Sequence, residues 1–225
     1  SQPLARVFDV ASLNRFAETL VVDVLDALGL ESSHLVATSF GGYIALRSTA
    51  AHPRRIGRMV QFSWPVGAPI ARLPMSMRLM SVPGLGRLLA ALPSTERTVR
   101  MILRSVGHGP SLDAGRITRE DLDCYLALLR STDTLRNDVA LGRIFVSPLR
   151  GLDPRLLPNS VLAKITTPTY FLWGENDPFG DAKTARELVE RMPNAELELM
   201  SGAGHAPWLD YLEHSVTATR RFLSP

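Results

Sequence analysis

Three residues in this chain are of types that can do chemistry together. Ser39 lies in Val36-Ala37-Thr38-Ser39-Phe40-Gly41-Gly42-Tyr43, Asp177 in Gly174-Glu175-Asn176-Asp177-Pro178, and His205 in Gly202-Ala203-Gly204-His205. A serine hydroxyl is a poor nucleophile at neutral pH and needs a base within hydrogen-bonding reach. The base in turn needs a carboxylate that fixes its tautomer and stabilises the imidazolium it becomes. Serine, aspartate, histidine is one of the recurrent chain orders for this chemistry. Ala37 and Gly41, two residues either side of Ser39, leave room for a sharp strand-to-helix turn that exposes the hydroxyl. The amides of Phe40 and Gly41 would then start a helix beneath it, where an oxyanion could use them. The usual pattern has glycine where this chain has Ala37, and serine also caps helices for purely structural reasons, so the rest of the chain must decide.

The elements that would carry these residues can be read from hydrophobic spacing. Ser12 can cap a helix with apolar positions Leu13, Phe16, Leu20, Val24 and Leu28, stopped by Gly29. Leu35-Val36-Ala37 reads as a short buried strand running into Ser39. The helix that follows should end near His52-Pro53, and a second strand runs from Ile56 to Phe62. From Trp64 to about Pro158 the chain is rich in proline and glycine, with helical patches and no clear strand. Its apolar stripes are Val99, Ile102, Leu103 and Val106, then Leu122, Tyr125, Leu126 and Leu129, the second opened by a Thr118-Asp121 capping box. Met75, Met77, Met80 and Met101 could line an adaptable pocket, but filling core gaps is the favoured expectation. Alternation resumes with a strand at Thr169–Trp173, a helix capped by Asp181, a strand at 196–200 and a last helix over 209–223. Helices alternating with strands imply an α/β fold with a parallel sheet. Its loops after the strands gather along one edge, where ligands bind, and Ser39, Asp177 and His205 each sit in such a loop.

Composition narrows the functional classes. At 225 residues and 45% hydrophobic content the chain can build a substantial core. No run approaches the roughly 18 consecutive apolar residues of a membrane span, and the first residues lack a signal pattern. Cys124, the single cysteine, cannot form an internal disulfide, and the expected compartment is the cytoplasm. With 25 basic and 22 acidic residues, the formal charge of +3 does not point to nucleic acid. Six arginines between Pro69 and Pro110 (Arg72, Arg78, Arg87, Arg97, Arg100 and Arg104) face only Glu96. Arginines snorkelling from amphipathic helices explain this better than a surface for acidic substrates or lipid headgroups. No phosphate loop and no His-Glu-x-x-His appears, so neither cofactor nor metal is implied. Glu175 and Asp181 are alternative carboxylates to Asp177, and His34, His52, His108 and His214 are assigned structural roles.

Taken together, these motifs resemble the α/β-hydrolase family, in the form with a helical cap inserted after the strand that follows the nucleophile elbow. Val-Ala-Thr-Ser-Phe-Gly-Gly is similar to the elbow, Leu-Trp-Gly-Glu-Asn-Asp-Pro to the acid loop and Gly-Ala-Gly-His-Ala-Pro-Trp to the histidine loop. The resemblance implies that Ser39 is the nucleophile, His205 the base, Asp177 the acid and the Phe40 amide an oxyanion donor. Phe40, Trp64 and Trp208 are expected at the mouth of the substrate pocket. The implied organisation is a core over 1–67, a helical cap over 68–160 and the remaining core over 161–225. The expected activity is hydrolysis of an ester or related acyl bond of a small, mostly apolar substrate. Carbon–carbon bond hydrolysis, lactone opening and peracid formation on the same triad are alternatives, as is a non-catalytic binding module.

Against the family pattern the chain starts late. Strands that normally precede the elbow, and the loop donating a second oxyanion amide, have no counterpart here, and Ser1-Gln2-Pro3 resembles the tail of the loop after the preceding strand. The elbow strand is then expected to present an unpaired apolar edge, and residues 1–225 alone are expected to be unstable and poor catalysts.

Overall fold

The computed structural model describes residues 8–70, 74–82, 84, 88, 94–147 and 149–224. Ser1-Gln2-Pro3, Arg72, Arg87 and the side chain of Met80 lie outside them. The first helix, α1 (Val10–Ala27), begins earlier than its sequence suggested. Asp9 is the N-cap, and Ser12 is the third helical residue, closing a reciprocal capping box with it. The buried stripe is Val10, Leu13, Ala17 and Leu25, while Val24 and Leu28 face solvent. The helix ends at Gly29, whose φ of 68° suits a residue without a Cβ.

Strand β1 (Ser33–Thr38) leads directly into α2 (Ser39–Ala51), and β2 (Ile56–Phe62) follows. After the helical segment described below come β5 (Thr169–Gly174) and β6 (Ala195–Met200), whose numbers allow for a small hairpin between. The sheet order is β1-β2-β5-β6, with all pairs parallel. Alternate residues therefore serve two cores. Met59, Phe171 and Trp173 join Tyr43, Leu46, Leu13 and Leu188 on the side of α1 and α2. Val60, Phe62, Tyr170 and Leu172 face Met200 and Ala218 on the other side. All six residues of β5 are buried, as befits a strand covered on both faces. Strand β1 is an edge of the described sheet, and Val36 on it is 53% exposed.

The segment between β2 and β5 holds α3 (Met75–Ser81), α4 (Glu96–Leu103), a wide π-type turn at Arg104–His108, α5 (Gly109–Asp113), α6 (Arg119–Ser131) and α7 (Thr134–Phe145). It also contains a hairpin that the sequence did not suggest, β3 (Val146–Ser147) against β4 (Gly151–Leu152). Two-residue strands are too short to show a period of two, which is why no pattern announced them. A third cluster of Val99, Leu103, Leu112, Ile117 and Leu122 fills the space among α4, α5 and α6, whereas Leu141, Phe145 and Val146 join the main core, and the Thr118-Asp121 capping box opens α6 as expected. The methionines behave differently from expectation. Met77 packs against the core, but Met75 and Met101 are 68% and 63% exposed. Of the arginines in this region, Arg100 pairs with Glu96 and Arg104 with Asp113. After α8 (Asn159–Leu162) and β5, Asp181 caps α9 (Ala182–Val189). The final helix is interrupted at Tyr211, giving α10 (Pro207–Asp210) and α11 (Leu212–Leu223). Among the described residues no helix is long and apolar enough to cross a membrane.

Candidate active site

Ser39 sits at the corner between β1 and α2 with φ of 50°, one of two non-glycine residues at positive φ among those described. That conformation costs on the order of 1 kcal/mol or more and persists only where the surroundings enforce it. The enforcement is visible. The Ser39 carbonyl accepts the Val66 amide at 3.0 Å. Below the turn Gly42 lies so close to the buried Gln61 that a Cβ would stand 2.3 Å from its Oε1. Gln61 cannot easily yield, because its amide nitrogen donates to the carbonyls of Phe62 and Ser63 at 2.8 and 3.1 Å. The Phe40 amide belongs to the first turn of α2, where N–H groups lack intrahelical acceptors.

Asp177 is buried in the loop after β5 and both carboxylate oxygens are engaged. Oδ1 accepts the Phe179 amide at 2.9 Å, and Oδ2 accepts the Trp64 amide at 3.0 Å. The same Oδ2 lies 2.8 Å from His205 Nδ1. An ionised carboxylate can only accept, so the ring presents Nδ1–H to it and leaves Nε2 free to accept a proton. The imidazole and the Phe179 ring stand nearly perpendicular, at a centroid distance of 4.7 Å and an angle of 79°.

Ser63, the other residue at positive φ, ties these loops together. Its hydroxyl accepts the Gly174 amide at 3.1 Å and donates to the Gly204 carbonyl at 3.4 Å. The ends of β2, β5 and the histidine loop are thus bonded to one another through one side chain.

The structure therefore joins Asp177 and His205 directly and puts Ser39 at the same edge of the sheet. Among the described residues no hydrogen bond reaches Ser39 Oγ. Of the competing carboxylates, Glu175 is exposed, and Asp181 accepts the Thr184 amide as the cap of α9. Phe40 packs on Tyr43 and Phe145. Trp64 is 1% exposed, with Nε1 donating to the Ala68 carbonyl, so what it gives the site is its backbone amide. Trp208 meets Phe62 edge-on, in the cluster on the α11 side of the sheet. A cavity of about 760 Å³ beside the segment leaving β2 is lined by Ile70, Arg78, Arg150 and Arg191 among others, and none of Ser39, Asp177 and His205 borders it.

Sequence reasoning missed Phe179, the Trp64 amide and a buried pair, His108 and Asp210, whose ring Nδ1 and Oδ2 are 2.8 Å apart. Phe179 had a signal of sorts, an aromatic two residues beyond Asp177. The other two had none, since they depend on residues far away in the chain.

Residues 3–216 match the model of the alpha/beta hydrolase family. The chain belongs to that family. It is 30% identical over 210 residues to a 2-hydroxy-6-oxononadienedioate/2-hydroxy-6-oxononatrienedioate hydrolase of Burkholderia vietnamiensis, covering 91% of this chain and 65% of that protein. It is also 30% identical over 190 residues to a 2-hydroxy-6-oxo-6-phenylhexa-2,4-dienoate hydrolase of Burkholderia cepacia, covering 84% and 62%. The chain spans about two thirds, at most, of the length of these relatives. In structure it is similar to a 2-hydroxy-6-oxo-6-phenylhexa-2,4-dienoate hydrolase of Rhodococcus sp. strain RHA1, with a TM-score of 0.73 at 19% identity over 96% of this chain and 73% of the other. That likeness bears on the fold, which is the α/β-hydrolase fold.

Proposed function

We propose that the protein containing this chain is a serine hydrolase acting at a carbonyl carbon, with Ser39 as nucleophile, His205 as base and Asp177 as the carboxylate that orients it. The observation that carries this reading is the 2.8 Å contact between His205 Nδ1 and the doubly anchored Asp177, on the same sheet edge as the strained Ser39 turn. His205 takes the Ser39 proton as the oxygen attacks, and the Phe40 amide receives the oxyanion. As the scissile bond breaks, its electron pair leaves with the departing group, to which His205 returns the proton. Water, activated by His205, then releases the acyl group from Ser39.

Two leaving groups fit this scheme, an alkoxide or thiolate from an ester and a stabilised carbanion from a carbon–carbon bond. The names of the relatives favour the second. A 2-hydroxy-6-oxononadienedioate has carboxylates, an enol and a ketone but no ester, so its hydrolysis must break a carbon–carbon bond beside the ketone. We propose the same bond class for this protein, with small esters as slower substrates. The helical segment 68–160 serves as a cap over the core halves 1–67 and 161–225. The exposed thiol of Cys124, the chain's single cysteine, suits a cytoplasmic setting.

The test assays full-length protein and Ser39→Ala with a 2-hydroxy-6-oxo dienoate and with a series of p-nitrophenyl esters. A fluorophosphonate probe should label the wild type and not Ser39→Ala. Undiminished turnover in Ser39→Ala would exclude the mechanism, and turnover of esters alone would return the reading to an esterase.

A further inference from the structure

Three consecutive backbone amides carry His205, and each has a donor's partner outside the loop. Gly204 N–H donates to Asp210 Oδ2 at 2.8 Å, His205 N–H to the Val106 carbonyl at 2.9 Å and Ala206 N–H to His108 Nε2 at 3.2 Å. Asp210 Oδ2 also lies 2.8 Å from His108 Nδ1, and neither side chain has any exposed surface. Because the Ala206 hydrogen occupies the Nε2 lone pair, the ring carries its own proton on Nδ1 and gives it to Asp210. Both ring nitrogens are thus committed, and no substrate can reach them. This second His–Asp pair is not a second catalytic centre.

Its position suggests what it does. Val106 and His108 belong to the wide turn after α4, inside the helical segment, and Gly107 between them has φ of 95°. The fit is close on both sides: a Cβ on Gly107 would stand 2.3 Å from the Asn176 carbonyl, next to Asp177, and 2.9 Å from Gly204 Cα. A side chain on Gly204 would meet the His108 ring at 2.8 Å. The turn therefore rests on the acid loop and the histidine loop at once.

We infer that His108 is a positioning residue for His205: paired with Asp210, it clamps the backbone on either side of the catalytic histidine and ties the helical segment to the imidazole that must carry the proton. The inference rests on the serine-hydrolase reading above. A displacement of about 1 Å in reacting groups can cost about 10²-fold in rate. Releasing the Ala206 amide and leaving Asp210 with the Gly204 amide alone shifts His205 Nε2 relative to Ser39 without touching the substrate.

The experiment uses full-length protein, titrated to completion with a fluorophosphonate so that turnover is expressed per active site. In His108→Phe, kcat per titrated site should fall about 10- to 100-fold, with KM changed by less than about twofold. His108→Gln presents an acceptor and a donor at similar spacing and should stay within about threefold of wild type. If His108→Phe does not fold, His108→Asn, which keeps only the donor toward Asp210, takes its place with the same expected loss. Wild-type turnover per site in these variants, or an equal loss in His108→Gln, overturns the inference. So does rapid hydrogen exchange of amides 204–206 in the wild type, which needs no variant at all. Labelling that survives Ser39→Ala would instead defeat the serine-hydrolase reading, a separate outcome.

Discussion

Trp64 donates its backbone N–H to Asp177 Oδ2 at 3.0 Å across 113 residues of sequence, and that same oxygen faces His205 Nδ1. The carboxylate is held from β2 as well as from its own loop. It therefore has one orientation available, and that orientation selects the imidazole tautomer.

Asp177→Asn should consequently be far worse than its size change suggests. The amide nitrogen cannot accept from Trp64 and His205 together, so either a buried N–H loses its partner or the ring flips to the wrong tautomer. Turnover per titrated site should fall by about 10⁴, the scale of an Asp→Asn change at the carboxylate of a Ser-His-Asp triad. Steady-state kinetics on a folded variant checks this, and a loss below tenfold would mean that Asp177 does not orient the base.

Ser39→Gly should separate function from stability. Glycine adopts a φ of 50° without the Cβ strain that serine suffers. The strain relieved, about 1–2 kcal/mol, exceeds the roughly 0.5–1 kcal/mol of chain entropy that glycine adds to the unfolded state, so the variant should gain up to about 1 kcal/mol, seen as a higher Tm, while losing probe labelling and turnover. A lower Tm would mean that the turn is not strained in the intact protein.

Gly174→Ala tests the contact between the acid and histidine loops. A Cβ there would lie 2.1 Å from the Gly204 carbonyl oxygen and 2.5 Å from that of Ala203, both backbone atoms that can move only with their loop. Overpacking of this kind costs about 1–3 kcal/mol. A fall in the urea midpoint accompanied by a fall in kcat is the expected result, because the wedge pushes the two loops apart.

Asp210 makes a prediction about acid stability. Burial by itself raises its pKa, but hydrogen bonds from His108 and the Gly204 amide, with the polar Ser111 hydroxyl near by, outweigh this and hold the carboxyl below the ordinary carboxylate value. The folded state then binds fewer protons here than the unfolded state, whose aspartates titrate near about 3.9. The stability contributed by this group is fully present above that value and is lost as pH falls through the lower folded one. Urea unfolding of wild type and Asp210→Asn should show the largest gap near neutrality, narrowing below about pH 4. A gap that stays constant down to pH 3 would mean that Asp210 is not the linked group.

Much of this protein was determined by its sequence alone. Local spacing determined the alternation of helix and strand, the end of α1 at Gly29, the capping box of α6 and the span of β2, because each depends on residues only a few positions apart. The small residues around Ser39 and the order serine, aspartate, histidine located the candidate site for the same reason. The apolar character of methionine misjudged the helical segment, where Met75 and Met101 are exposed rather than filling core gaps, since burial there depends on what packs across from each helix. The anchoring of the site was decided only by tertiary structure. The Trp64 amide reaches Asp177 over 113 residues and His108 meets Asp210 over 102, and such contacts leave no mark on either local sequence. They exist because parallel strands deliver distant loops to one edge, where unsatisfied backbone amides must find acceptors away from water.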